Sequence, residues 1–253
     1  MEDFINGATY LLDPISELVI FFGECGAGKS SLMVHFVDDY LKTQGDKRRE
    51  LSEQITDEEN KTRKTQLSFP KVPPMYSNLK NLNLKLRNGK TFKPVYIKGN
   101  ELGISNDKKT YKSLRPASLI VIDEANDEFP SSGELEKGQR DLFNKRRHDR
   151  LIILLAAPRG NSVHKTIRNT GKRFIEVIGQ THERDVFGRI YKTTWHCREF
   201  SDKRTLEEYI STDGASGGYV KTTYVHNGNI YDLYDSFAFV KDFMPPEGKD
   251  FED

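Results

Sequence analysis

Three short runs of apolar residues predict buried strands along the chain. They are continuous rather than alternating, and polar or glycine-rich sequence bounds each of them. They span residues 18–22, 118–122 and 151–156, and a fourth strand is expected at 173–178. Runs of this kind are typical of strands covered on both faces, as in a parallel sheet. Residues 29–42 carry apolar side chains at helical spacing, so the first strand is followed by a loop and a helix.

Weaker patterns predict further elements between and after these strands. Short strands are expected at 75–78 and 94–98, a turn at 87–90, helices at 134–148, 162–170 and 203–210, and β segments at 189–197 and 219–225. The sequence His-Asn-Gly-Asn at 226–229 predicts a hairpin turn that leads into a strand at 230–234. The alternation of buried strands and helices predicts an α/β fold, a three-layer sandwich around a mostly parallel sheet with a C-terminal β-hairpin extension.

We expect residues 1–253 to form one domain, since no sharp break in composition divides them. Three segments differ from the rest of that domain. They are a charged insertion at about 45–71, a β-rich extension at about 186–240 and a mobile acidic tail at 245–253.

Residues 23–30 match the phosphate-loop pattern G-x-x-x-x-G-K-[ST] in full, between a predicted strand and a predicted helix. Glycines let backbone N–H groups turn toward a phosphate, and the helix points its positive end at the same anion. Lys29 is predicted to contact the β- and γ-phosphates, Ser30 to bind Mg²⁺ and Ser31 to neighbour the α-phosphate. The predicted nucleotide contacts are Gly23, Glu24, Cys25, Gly26, Ala27, Gly28, Lys29, Ser30 and Ser31. The fold is therefore expected to be that of a P-loop NTPase, with ATP and Mg²⁺ as cofactors.

Asp123 and Glu124 follow the second buried strand, at the edge where ligands bind in such sheets. Asp123 is predicted to hold Mg²⁺, and Glu124 to act as the general base that orients the attacking water. The alternative for Glu124 is a cap on the following helix. The long separation between Lys29 and Asp123 leaves room for a strand between the two site strands. That spacing favours a motor-type ATPase over a nucleotide kinase.

Composition excludes several classes of protein. The chain is 30% charged, and its longest apolar run, residues 151–157, is far shorter than the roughly 18 residues of a membrane span. Glu2 and Asp3 precede no signal-peptide pattern. Two cysteines cannot form a disulfide framework, and no His or Cys spacing indicates zinc. We therefore expect a cytoplasmic protein with no membrane span of its own.

The formal net charge of +1 hides strong local imbalance. Residues 71–115 contain eleven basic and two acidic residues, and residues 140–173 contain ten basic and two acidic residues. Residues 122–139 are acidic instead, with six acids and one lysine. Basic blocks are often only solvated faces, but beside a phosphate loop they favour sequence-independent contact with the DNA backbone.

Several residues together resemble the zonula-occludens-toxin-like family, which includes the assembly ATPases of filamentous phages. The resemblance extends over about residues 18–236. It rests on 23–30, 120–124, Phe129-Pro130, Arg147-His148, the strand at 151–157, Pro158, His164, Ile167, Arg168 and 234–236. It implies ATP hydrolysis coupled to moving phage DNA, in a homo-oligomeric ring with a capsid or membrane-assembly partner.

Two departures from that family leave alternatives open. Its members commonly carry a membrane span after the ATPase domain, which this chain lacks, so DNA packaging rivals virion extrusion as the function. They also tend to end the strand after the Asp-Glu strand with polar residues, where this chain has Ala156 and Ala157. A nucleotide-binding switch or scaffold with little hydrolysis is therefore a second hypothesis. A nucleotide or small-molecule kinase is a third.

Ring ATPases usually complete their site with an arginine from a neighbouring subunit. Arg146 and Arg147, just before the strand at 151–156, are the first candidates, and Arg159 and Arg168 are the next. The alternative for each is a solvated residue or one that contacts a DNA phosphate.

Overall fold

The computed structural model describes most of the region between residues 11 and 234. The described residues are 11–13, 16–43, 75–80, 82–97, 117–215 and 218–234, with the single positions 54, 57, 61 and 114. The predicted acidic tail and nearly all of the predicted insertion lie outside them. The assignment of the whole chain to one domain stays a prediction.

The described residues form ten strands and five α-helices. The strands are β1 Glu17–Phe22, β2 Met75–Ser77, β3 Leu84–Lys85, β4 Thr91–Phe92, β5 Val95–Tyr96, β6 Leu119–Ile122, β7 Ile152–Ala157, β8 Arg173–Arg184, β9 Ile190–Phe200 and β10 Val220–Asn227. The helices are α1 Lys29–Thr43, α2 Ala125–Glu128, α3 Lys137–Lys145, α4 Lys165–Thr170 and α5 Lys203–Ser211. A 3₁₀ helix follows at Ile230–Asp232.

Eight of these strands form one sheet, in the order β10-β9-β8-β1-β7-β6-β2-β5. The six strands from β8 to β5 are parallel to their neighbours, whereas β9 and β10 are antiparallel. Strand β7 lies between β1 and β6, which carry the two predicted site motifs at their ends. The expectation that one strand separates the site strands is confirmed.

The buried strands supply apolar side chains to both faces of the sheet because successive side chains point in opposite directions. In β1, Val19 and Phe21 pack with the apolar face of α1, whereas Leu18, Ile20 and Phe22 pack on the other side with residues of α2 to α5. The result is helix, sheet and helix, which confirms the predicted α/β sandwich. No helix in the described part of the chain is long and apolar enough to cross a membrane.

The C-terminal hairpin is formed by β8 and β9 and not at the predicted turn sequence, residues 226–229. Strands β8 and β9 form a long antiparallel pair around a turn at 185–189. The predicted hairpin at 226–229 and strand at 230–234 are wrong. The side chain of Asn229 accepts a hydrogen bond from the Tyr231 N–H, at 3.3 Å, and starts the 3₁₀ helix, in which Ile230 is buried. The Asn-Gly pair therefore ends β10 instead of reversing it.

Candidate phosphate-binding site

Three glycines give the loop between β1 and α1 its shape. Gly23, Gly26 and Gly28 have φ values of 146°, 78° and 100°, and residues that carry a side chain rarely adopt such values. At Gly28 an added Cβ would lie 2.6 Å from the side-chain oxygen of Gln180. The loop is thus packed against β8 as well as curved over the end of β1.

We expect Gly23→Ala to destabilise the protein much more than Gly26→Ala. An added Cβ at Gly23 would lie 2.3 Å from the carbonyl oxygen of Val177, a backbone atom, whereas at Gly26 nothing lies within 4 Å. Gly26→Ala carries only the cost of a positive φ, about 1–2 kcal/mol. Gly23→Ala adds a steric cost of about 1–3 kcal/mol. Urea unfolding of both variants measures the difference, and equal losses would contradict this packing.

Lys29 is the first residue of α1, and its side chain folds back over the loop. Its side chain is buried, and Nζ donates hydrogen bonds to the carbonyl oxygens of Gly23, at 3.0 Å, and Glu24, at 2.9 Å. The Ala27 N–H also donates to the Glu24 carbonyl, at 3.2 Å. One positive charge is therefore fixed at the loop, together with the N-terminus of a 15-residue helix.

Ser30 connects the loop to the second motif. Its hydroxyl donates a 2.6 Å hydrogen bond to Oδ2 of Asp123, at the end of β6. Burial raises the pKa of Asp123, and the hydrogen bond from Ser30 opposes that rise. The two residues are 93 positions apart in the chain, and the sheet order brings them into contact.

Asn78 holds the backbone of Asp123 in place. It directly follows β2, and its side chain accepts from the Asp123 N–H and donates to the Asp123 carbonyl, each at 2.8 Å. Sequence reasoning placed Asn78 inside a strand and gave it no role. Its position as a polar residue directly after a short buried strand is the pattern that could have identified it.

Glu124 follows Asp123 in a left-handed conformation, with φ 49° and ψ 46°. It precedes α2, but its side chain makes no capping hydrogen bond, so the alternative of a helix cap is not supported. Its side chain is exposed, and partial burial together with the nearby Asp123 raises its pKa. A non-glycine residue in this backbone region is uncommon and typical of functional sites.

The donor set fits magnesium bound together with a nucleotide. The described residues contain no group of three or more His, Cys, Asp or Glu that could hold a metal ion by themselves. Magnesium is usually bound by one or two carboxylates plus phosphate oxygens and water. The Ser30 hydroxyl and the Asp123 carboxylate at one place match that requirement.

Ser31 lies in a polar network that the sequence did not indicate. Its hydroxyl accepts a 3.0 Å hydrogen bond from the indole N–H of Trp195 and lies 3.0 Å from Oε1 of Gln180. The Gln180 amide donates in turn to the hydroxyl of Tyr231, at 3.1 Å. The fourth strand was expected to end at 178, so Gln180 received no role. Only the actual length of β8 places it beside the loop.

Strand β7 ends without a polar group. Ala156 and Ala157 are buried and pair in register with Phe21 and Phe22 of β1. Beyond them Arg159 is exposed, and it lines a cavity of about 640 Å³ together with the start of the phosphate loop. Among the arginines that were predicted to complete a neighbouring site, Arg159 thus lies near the phosphate loop of its own chain.

Arg146 and Arg147 lie at the opposite edge of the sheet, before β7 begins. Arg146 is 2% exposed, and its guanidinium donates to the carbonyl oxygens of Thr170 and Phe143. Burial lowers the pKa of Arg146 to about 10. This is a packing position, so a catalytic role for Arg146 does not fit the structure. Arg147 is exposed, and its role at a neighbouring site stays a prediction.

Fold and loop together define the class of protein: a P-loop NTPase fold with the two site strands on either side of β7. The sequence profile of one family, Zonular occludens toxin (Zot), matches residues 17–239. The chain belongs to that family. No curated protein matches the chain.

Solved structures similar to this chain include the N-terminal domain of zonular occludens toxin from Neisseria meningitidis. That domain is 17% identical, with a TM-score of 0.54 over 87% of this chain and 100% of the domain. The genome packaging NTPase B204 from Sulfolobus turreted icosahedral virus 2, in complex with ATP-gammaS, is 11% identical. Its TM-score is 0.43 over 86% of this chain and 100% of that protein.

Proposed function

We propose that this chain is a magnesium-dependent ATPase whose hydrolysis moves phage or viral DNA. The observation that carries the proposal is the 2.6 Å hydrogen bond between Ser30 and Asp123. It joins a complete phosphate loop to a half-buried carboxylate across the intervening strand β7. The arrangement brings together an anion-binding loop, a hydroxyl and a carboxylate, which ATP hydrolysis requires at one place.

Each residue has a distinct role in this proposal. Backbone N–H groups at the start of α1 bind phosphate oxygens, and Lys29 turns its ammonium from the Gly23 and Glu24 carbonyls toward the β- and γ-phosphates. Ser30 and Asp123 would hold Mg²⁺, which when bound neutralises phosphate charge. Glu124 accepts a proton from the attacking water. Its exposed carboxylate and raised pKa suit a general base.

Contact with DNA is supported by a basic cleft at the edge of the sheet opposite the phosphate loop. Arg147, Arg150 and Lys172 line this cleft of about 290 Å³ beside one acid, Asp13, whose carboxylate lies 3.4 Å from the Lys172 ammonium. All three basic residues belong to the block at 140–173. Arginine and lysine side chains suit phosphate groups, whose contacts carry no sequence information, so we propose sequence-independent binding. Of the other basic block, 71–115, the structure describes residues 75–80, 82–97 and 114.

Packaging into a capsid and extrusion during virion assembly are the two forms of this function, in the cytoplasm of the host cell. A homo-oligomeric ring with a capsid or membrane-assembly partner fits either form. DNA-stimulated ATP turnover is the experiment that tests the proposal, and the preferred strand type separates the two forms.

A nucleotide-dependent switch is the second candidate function. The observation in its favour is the apolar end of β7, where Ala156 and Ala157 offer no polar contact to a terminal phosphate. A switch would bind ATP tightly and turn it over slowly, with no response to DNA. A nucleotide kinase is disfavoured because β7 separates the two site strands.

A further inference from the structure

The hairpin of β8 and β9 projects from the edge of the sheet that carries the phosphate loop. Glu176 of β8 pairs with Phe22, the last residue of β1. The strand continues for eight more residues, from Val177 to Arg184, with register shifts between Val177 and Gly179 and between Glu183 and Arg184. At about 3.3 Å per residue, eight residues of strand span at most about 25 Å, so the turn lies beyond the end of β1.

The tip of this hairpin, residues 184–189, is a fixed turn that exposes two large apolar side chains. Val186 is 93% exposed and Phe187 is 78% exposed. The Asp185 carboxylate accepts hydrogen bonds from the Phe187 N–H, at 2.9 Å, and from the N–H and Nε of Arg189, at 2.9 and 2.8 Å. The guanidinium of Arg189 lies 5.2 Å from the centre of the Phe187 ring. A preorganised turn of this kind loses little conformational entropy on binding a partner.

A matching cavity lies beside the phosphate loop. It has a volume of about 640 Å³ and lies between the start of the loop, the segment after β7, β8 and α5. Its apolar wall consists of Phe22, Pro158, Tyr209 and Ile210. Glu176 is paired with Arg198 at 2.9 Å, which leaves Glu24 and Asp213 against Arg159, so the cavity carries a net negative charge.

We propose that the hairpin tip of one copy docks into the cavity beside the phosphate loop of a second copy. Val186 and Phe187 fit the apolar wall. The tip has two arginines, Arg184 and Arg189, and one acid, Asp185, so its net positive charge complements the cavity.

Docking of this kind is head-to-tail because the two surfaces are different patches of one chain, and such contacts can close into rings. The inference rests on the proposed function in one respect, since a ring ATPase needs contact between neighbours. It adds which surfaces meet, and it places the neighbour against Glu24 and Cys25 of the loop.

Cysteine cross-linking tests the docking directly. Cys25 is exposed and lines the cavity, whereas Cys197 is buried. Phe187→Cys should form an intermolecular disulfide with Cys25 under mild oxidation and give a ladder of dimers and larger species on a non-reducing gel. Val220→Cys is the matched control, since Val220 is 66% exposed at the start of the edge strand β10. We expect cross-linking at least tenfold faster for Phe187→Cys than for the control.

Equal cross-linking rates for the two variants would overturn the proposal. So would a disulfide-linked dimer that persists when Phe187→Cys is combined with Cys25→Ser, because the single exposed thiol of each tip would then be pairing with another tip. Phe187→Ser should also lower the mass of the assembly measured by light scattering. The tip serves another partner if Phe187→Cys forms no cross-link and Phe187→Ser instead loses affinity for DNA or for anionic vesicles. That result would also overturn the proposal. ATP turnover of the unmodified chain reports on the proposed function independently of these results.

Discussion

Lys29→Ala should weaken ATP binding about a hundredfold, a change worth about 3 kcal/mol. The Lys29 ammonium is the charged group that the structure fixes over the loop, through its bonds to the Gly23 and Glu24 carbonyls. Charge-assisted hydrogen bonds to phosphate are among the strongest polar contacts in proteins. Titration calorimetry with ATP in the presence of magnesium measures the change.

Lys165→Ala is the matched control for this prediction. Lys165 is also the first residue of a helix, α4, but it is exposed and makes none of the loop contacts. We expect it to bind ATP as the unmodified chain does. If Lys29→Ala bound ATP within twofold of the unmodified chain, residues 23–30 would not be the nucleotide site.

Glu124→Gln should lower the rate of ATP hydrolysis by about two to four powers of ten and leave ATP binding intact. Glutamine keeps the size of the side chain but cannot accept the proton of the attacking water. Glu124 directly follows Asp123, has a left-handed backbone conformation and is exposed. Single-turnover hydrolysis and nucleotide affinity, measured on the same preparation, separate chemistry from binding.

Glu128→Gln serves as the control, because Glu128 is a nearby carboxylate on α2 with a pKa that partial burial also raises. Its loss should change turnover by less than twofold. Hydrolysis by Glu124→Gln at the unmodified rate would remove Glu124 from the role of base and leave Asp123 to be tested for it.

The parts of the site that lie within one strand, loop and helix could be predicted from the sequence. Residues 23–30 carry their own context, since the buried strand and the helix that the motif needs are adjacent in the chain. Asp123 and Glu124 could be found in the same way, from the apolar strand before them. The long separation of Lys29 and Asp123 in the chain also indicated the intervening strand, because it leaves room for a strand between the two strands that carry them.

Contacts that depend on long-range register could not be predicted. Gln180 and Trp195 face each other across β8 and β9 and approach Ser31 only because those strands extend past the end of β1. The Asn-Gly pair at 227–228 is a strong turn sequence, but at the end of β10 it leads into a 3₁₀ helix. An arginine is expected to be solvent-accessible from its residue type alone, but the packing of α3 and α4 buries Arg146.

ATP turnover measured with no DNA, with single-stranded DNA and with double-stranded DNA tests the central claim most directly. We expect magnesium-dependent hydrolysis that DNA stimulates several-fold and that Lys29→Ala abolishes. Preference for single-stranded DNA supports extrusion, and preference for double-stranded DNA supports packaging. Tight ATP binding with negligible turnover under all three conditions would contradict the motor and favour the switch.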